Sequence, residues 1–512
     1  MLNGDFTTVT SSTCTAVPIT LKAPFTGNQI SPTRFSAAAL NLLKYIPLSN
    51  DPCGKLQYGI PNNPAEDQII GRIDFNQSAK NQIFGRYFVS DYRNLAIFDG
   101  KNMLTTTKAG VRPRSQSYTV ADNYTFGPGT VSSFHGTFGR MRVLRGPSPN
   151  MISPQDVGIN VAQNIDHYID INVTNFMQFG CGTCAPAYYV TNTFQAAEDI
   201  DLIRGAHQIS VGVNYIHLQL NSTGNNASNG QFTFNGSNTG HGLADFLLGA
   251  VSGFTQSNPQ RQNDRQNYIS LYVQDAWRVN RKLSLNLGLR WEPFFPQWDR
   301  YGRGSNFELS DYLANKRSSV YSNAPAGETF HGDPGYPRSN TFRHMRNFAP
   351  RVGLVFDPGG NGKQTIRASY GILYDLPEIY YEVRFVSAPP FGNQGSIPNP
   401  AGGLTNPYQG FPGGNPFPQA FPPPKDVAFP AGGVWINLPL HIKQTYMQQW
   451  NLSWQRQLTG NWLVTANYLG NKTSHYWLGR EINPAVYGPG ATTGNTNQRH
   501  VLSRIDPVRG MP

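Results

Sequence analysis

The sequence predicts an all-β fold, an antiparallel transmembrane barrel wall of about twelve strands arranged as six hairpins with long outer loops. Three observations predict it. The first is alternation. Between 283 and 292, Leu283, Leu285, Leu287, Leu289 and Trp291 share one face, while Ser284, Asn286, Gly288, Arg290 and Glu292 share the other. That period of two belongs to a strand with one dry and one wet side. The second is the connections, because short polar turns and long loops take strict turns along the chain. A soluble sandwich has no reason to do this, whereas a membrane barrel keeps short turns on its periplasmic side and long loops outside. The third is aromatic residues near strand ends, among them Tyr87, Phe88, Tyr92, Trp277, Trp291, Tyr370, Tyr374, Trp450, Trp454, Trp462, Tyr468, Tyr476 and Trp477. Rings with one apolar and one polar end suit the two membrane interfaces.

Composition agrees. Of 512 residues only 14% are charged and 12% are aromatic, a balance that fits contact with a nonpolar solvent better than a soluble enzyme. No stretch approaches the roughly 20 apolar residues of a membrane helix, and strands that alternate escape that test. The net charge of +11 raises nucleic acid as a partner, but no dense Lys/Arg run or nucleic-acid motif supports it. Basic loops beside an anionic membrane surface fit equally well. The start, MLNGDFTTVTSSTCT, has neither a basic region nor an apolar core and does not read as a signal peptide.

In chain order, residues 1–69 read as an irregular, extracellular-loop-like segment with one helical patch, Phe35 to Tyr45. Residues 70–477 read as barrel strands and loops. The hairpins are 70–77 with 82–92, 117–126 with 131–142, 194–204 with 208–220, about 266–278 with 283–294, 348–357 with 365–375, and 443–458 with 462–477. Residues 478–512 read as a final loop. Loop 221–264 holds an apolar patch, Ala244–Ala250. Strict phase puts Asp275 on the dry face, which is tolerable close to a turn at the interface or if a bulge shifts the register; the former is expected.

Chemistry is sparse. Cys14, Cys53, Cys181 and Cys184 fit loop disulfides better than zinc, since Cys181 and Cys184 lack a second pair at ligand spacing. The sequence does not fix their pairing. The turn Gly359–Gln364 looks like a phosphate loop, yet Asp357 stands where a glycine belongs and Gln364 where Ser or Thr would hold magnesium. His167, His217, His331 and His344 are scattered, and Glu328 and Asp333 are not constrained to act as a glycosidase pair. No catalytic, cofactor or metal residues are therefore assigned, and no enzyme activity is expected. Arg290, Glu292, Arg351, Arg367 and Asp375 fall on wet faces and would line a lumen, where charges pair with one another or with whatever fills it. Tyr408, Phe411, Phe417, Phe421 and Trp435 could stack on a solute or pack the loops. No substrate residues are named.

The strings RIDFNQSAKNQIFGRYFVSDY (72–92), YVQDAWRVNRKLSLNLGLRWEP (272–293), NFAPRVGLVFDPGGNGKQTIRASYGILYD (347–375) and QQWNLSWQRQLTGNWLVTANYLGNKTSHYW (448–477) resemble the Oar-like β-barrel of TonB-dependent outer-membrane receptors. LNGDF (2–6) and 27–50 resemble the segment before its first such strand. The resemblance implies a barrel of about twenty-two strands, a plug domain, a signal sequence and location in the Gram-negative outer membrane. The chain is then expected to be about half of such a barrel, lacking plug, signal and closing strands. The partners implied are outer-membrane lipid, TonB with its inner-membrane energising proteins acting through a plug, and an extracellular solute. A passive or structural barrel, or a secreted β-protein, are the alternatives.

Overall fold

The computed structural model describes residues 1–379, 385–429 and 433–507. Twelve long strands form one antiparallel sheet in sequence order. They are β1 Ala65–Ser78, β2 Asn81–Arg93, β3 Gly110–Gly127, β4 Thr130–Gly146, β5 Ala187–Arg204 and β6 His207–Gly224. Then come β7 Gln260–Arg278, β8 Leu283–Trp291, β9 Phe348–Phe356, β10 Gln364–Tyr374, β11 Tyr446–Gln457 and β12 Leu463–Ser474. Each expected hairpin is present. Among the described residues the sheet is a curved wall and not a closed barrel: β1 and β12 each pair on one side only. An unpaired strand edge is not stable in hydrocarbon, so within a membrane both edges require a strand partner.

Strands β3 to β7 begin or end several residues beyond the segments that alternation marks. The additions all lie at the long-loop end, for example Gly110–Gln116 and Ala187–Thr193. There the strands project past the bilayer with water on both sides, and the apolar/polar period that betrays a strand fades.

Register sorts the side chains cleanly. Directly paired residues share a face, and the row Ile83, Asp122, Phe134, Glu198, Val213, Leu271, Trp291, Phe348 runs across eight strands. The face bearing this row also carries Ile73, Phe75, Val120, Val273, Leu287, Leu289, Val352 and Leu452, all large and solvent-exposed. So wide an apolar belt has no place on a protein surrounded by water. The opposite, concave face carries Ser210, Asn214, Ser270, Gln274, Asn286, Ser369 and Asn451. One expectation changes: Phe88 pairs Ser117 and, like Tyr92, faces inward, whereas Tyr87 faces lipid. Position near a strand end does not choose a face; parity does.

On the belt, Tyr87, Tyr118, Phe138 and Phe194 pair successively across β2 to β5 and touch ring to ring at 4.6, 6.1 and 5.0 Å. His217 and Asn267 continue the row on β6 and β7. This aromatic ladder marks the outer interface.

The long loops do not remain irregular. Segments Gly395–Pro398, Gly253–Gln256, Gln231–Phe234, Asp170–Val173 and Met177–Phe179 form a second, five-stranded sheet. Helices Ala37–Leu43 and Gly242–Leu248 pack beside it. Phe6, Leu42, Met103, Phe179, Phe232, Phe234, Phe246 and Phe254 are essentially sealed from solvent in a single core. Each such phenylalanine contributes about 2–3 kcal/mol by burial, so the loops form one folded cap over the outer end of the wall. Residues 1–64 belong to this cap, tied internally by the Cys14–Cys53 disulfide; Cys181 pairs with Cys184 within one turn.

Asp275 lies on the lipid face with no bulge, opposite Leu287 and Ile209 and three residues before β7 ends. Its carboxylate meets His207 Nδ1 at 2.7 Å, and the imidazole stacks on Trp277 at 5.3 Å. A carboxylate near the interface is tolerated when such a partner shares its desolvation. The substitution His207→Leu is expected to cost about 1 kcal/mol of barrel stability in bilayers, while His207→Leu with Asp275→Leu recovers it. A double-mutant cycle in urea reads the coupling; strictly additive effects would show that the pair contributes nothing.

Candidate functional site

The concave wall is the candidate site, and its shape follows from glycine. Successive rows place Asp201, Ser210, Gln274, Gly288, Arg351, Gly371 and Gln449 side by side across seven strands. Arg351 is therefore flanked on both neighbouring strands by residues without side chains. Two adjoining hollows of about 590 and 310 Å³ open along this wall, and Gln274, Gly288 and Arg351 line both. Among the described residues Arg351 forms no ion pair, and it is exposed to the hollow.

One row higher, Gly212 lies between Asp199 and Tyr272. The Tyr272 hydroxyl crosses it to donate to Asp199 Oδ1 at 2.6 Å. A Cβ at 212 would sit 2.5 Å from the Tyr272 ring and 2.4 Å from the Asp199 oxygen, so this bond requires glycine there. Above it, Arg290 and Glu292 pair at 2.6 Å. The Tyr268 hydroxyl donates to Glu292 at 2.6 Å, and Arg290 also donates to Ser270 at 2.6 Å.

Of the five charges placed on wet faces, two thus form a pair, inside a network to which Tyr268, Ser270, Tyr272 and Asp199 belong. Sequence alone missed these four because Tyr268, Ser270 and Tyr272 meet Arg290 and Glu292 only through the register of β7 against β8, and Asp199 comes from another hairpin. Arg351 stands alone over the hollow. Arg367 is exposed near the short-turn end of β10, and Asp375 closes β10 through its backbone bond from N–H to the Thr445 carbonyl at 3.0 Å.

The other candidates resolve into structure. In the turn after β9, the Asp357 carboxylate accepts from the amides of Gly359, Gly360 and Gly362 at 3.2, 3.0 and 2.7 Å. The amides that would cradle a phosphate are filled by the chain's own anion. Tyr408 and Phe417 are buried in the cap core with Phe411 packed against them, and Trp435 stacks on Phe429 at 5.7 Å. Phe421 is 45% exposed, with Arg261 and Arg303 over its ring at 5.5 and 5.8 Å. His167 bonds Met151, His217 bonds Asn267 and His344 bonds Asn347. Among the described residues no cluster of three or more His, Cys, Asp or Glu is placed to hold a metal.

The whole chain, residues 1–511, matches the family model described as the outer membrane beta barrel domain. It belongs to that family. Its place is accordingly the Gram-negative outer membrane, with the exposed apolar belt in lipid and the cap outside. No curated protein sequence matches it. Among solved structures it is similar to the outer membrane transporter YddB from Escherichia coli, at 12% identity and a TM-score of 0.44 over 83% of this chain and 42% of that one. It is also similar to the siderophore receptor PirA from Pseudomonas aeruginosa, at 11% and 0.38 over 85% and 49%. A third is the ferric-catecholate import receptor Fiu from E. coli K12, at 9% and 0.41 over 80% and 52%. The chain spans about half the length of these proteins.

In the outer loops, Glu328 and Asp333 take separate structural roles. Asp333 is held below the usual carboxylate range: burial pushes it up, but Ser318, Ser319 and the amides of Ser319 and Phe330 outweigh burial. Glu328, on a short strand Glu328–Phe330 paired with Ser305–Phe307, is pushed up to about 8 by burial, against weaker bonds from Asn437 and Ser305. A carboxyl raised in the folded state stays protonated there after the unfolded chain has ionised. Its effect on stability is absent below about pH 4.5, grows more destabilising as pH rises, and levels off above about 8. Wild type should lose about 1.4 kcal/mol of local stability per pH unit across that window relative to Glu328→Gln, read as faster amide exchange at 305–307 and 328–330. Parallel pH profiles for the two proteins would exclude a raised Glu328.

Proposed function

We propose that this chain forms the wall and outer cap of a receptor-type transporter of the Oar-like, TonB-dependent kind. Such a protein captures a solute at the cell surface and passes it inward along the concave wall when TonB pulls on a plug domain. The observation that carries the reading is the pairing of a folded cap with a wall polar on one side only, whose hollow presents an unpaired Arg351 between two glycines. A purely structural barrel needs no open cationic hollow on its inner face. The sequence resemblance to the Oar-like barrel supports the same reading, and the energising proteins and the plug come from that resemblance.

The deciding experiment compares strains lacking the intact gene, lacking TonB, or lacking both, across media in which iron chelates, oligosaccharides or peptides limit growth. A transporter of this kind gives the same defect in all three strains, with no additivity, and the purified protein leaves planar bilayers insulating. Steady conductance without TonB, or additive growth defects, would make it a passive barrel.

A further inference from the structure

The outer wall above the aromatic ladder is basic. On the lipid face, parity continues from Tyr118 to Arg114 and Arg112 on β3, and from Phe138 to Arg140 and Arg142 on β4. These four arginines are exposed. Of them, only Arg112 forms an ion pair among the described residues, with Asp91 at 3.0 Å. Two carboxylates on the same face and at the same level, Asp67 and Asp91, pair with Arg93 and Arg112; the others lie on the other side of the ladder, toward the short turns. Asp122, Glu198 and Asp275 there each take a hydrogen bond, from Asn81, Ser132 and His207 respectively. On β3 and β4 guanidinium groups thus gather at the outer interface, while the carboxylates of β3, β5 and β7 toward the inner one are shielded.

At the end of the ladder the wall has a recess. Asn267, the last member of the ladder row, lines a hollow of about 450 Å³ together with Phe295, Trp298, Arg338, Phe342 and Arg343. The Arg338 guanidinium lies over the Trp298 ring at 3.9 Å and donates to the Arg300 carbonyl at 3.2 Å. Arg338 and Arg343 form no ion pair among the described residues. The segment leading into β9 is fixed and amphipathic. Trp291 Nε1 donates to the Met345 carbonyl at 2.8 Å, and Phe294 and His344 exchange backbone bonds of 2.7 and 3.0 Å. Phe342, Met345 and Phe348 are 38%, 39% and 50% exposed beside Arg343 and Arg346.

Exposed rings and a methionine at the top of the lipid belt, with unpaired arginines at their side, match a molecule that is apolar below and anionic above. We infer that this recess binds the phosphate-bearing headgroup of an outer-leaflet lipid, with Arg338 and Arg343 on the phosphate and Phe342, Phe295 and Trp298 against the adjoining apolar part. Charge complementarity and the level of the ladder select a lipid over a soluble anion: the recess opens on the lipid face, away from the concave wall. The Trp298 stack holds the Arg338 plane ready, which lowers the ordering cost of binding.

The test uses the full-length protein extracted from its own membrane into neutral detergent micelles, with fluorescent diphosphoryl lipid A as the probe and its dephosphorylated form as comparison. Wild type should prefer the phosphorylated lipid. Arg338→Ala with Arg343→Ala should weaken binding about 25-fold, at about fivefold for each arginine brought near an anionic surface, and Arg338→Lys with Arg343→Lys should retain most of it. Equal binding of both lipids by wild type, a comparison that needs no variant, would overturn the proposal. So would an alanine variant, verified as folded by its heat-modifiable mobility, that binds like wild type. Full displacement by millimolar inorganic phosphate would likewise overturn it, by making the site one for a soluble anion.

Discussion

A polypeptide that separates hydrocarbon from water must satisfy every backbone N–H and C=O without help from the hydrocarbon side. Everything else in this structure depends on that constraint. The β1–β12 ladder meets it for all interior strands, and once neighbouring strands are locked in antiparallel register, side-chain parity is no longer free. A shift of one residue in β8 would turn Leu285, Leu287 and Leu289 into the polar hollow and Asn286 and Arg290 into lipid. The alternation of the sequence is thus the means by which register is specified.

The same parity gives the wall two independent chemistries. Inside, glycines at 288 and 371 clear space around Arg351, and Gly212 lets Tyr272 reach Asp199. Outside, on β3 and β4, positions that continue the apolar belt upward carry arginine at 112, 114, 140 and 142. Where a charge departs from this scheme, as Asp275 does, a neighbour on the adjacent strand answers it. The cap is built on a different principle. Its buried phenylalanines come from four separate segments, so its stability rests on burial across long sequence separations.

That difference explains what could be read from the sequence. The six hairpins were legible because a strand between two solvents writes its period locally: Leu283 to Glu292 needs no distant partner to be recognised. The phase of Asp275, the helix around Ala37–Leu43 and the structural nature of the 359–364 turn were legible for the same reason. The cap was not, since Phe179, Phe232 and Phe246 meet only after the wall has brought their loops to one end. Nor was the inner network, because Tyr272 and Asp199 are 73 residues apart in sequence and share a face only through the register of β5, β6 and β7. The loop aromatics show the limit most plainly. Composition allowed Tyr408 and Phe417 to be stacking platforms, and packing buries them.

Which face of the sheet meets lipid is tested directly by single cysteines at 284 through 291 in native outer membranes. Positions 285, 287 and 289 should resist a membrane-impermeant maleimide and, when carrying a fluorophore, be quenched by brominated lipid. Positions 286 and 288 should be insensitive to the lipid quencher. Quenching at 286 and 288 with none at 285, 287 and 289, or uniform labelling at all positions, would contradict the assignment of the two faces.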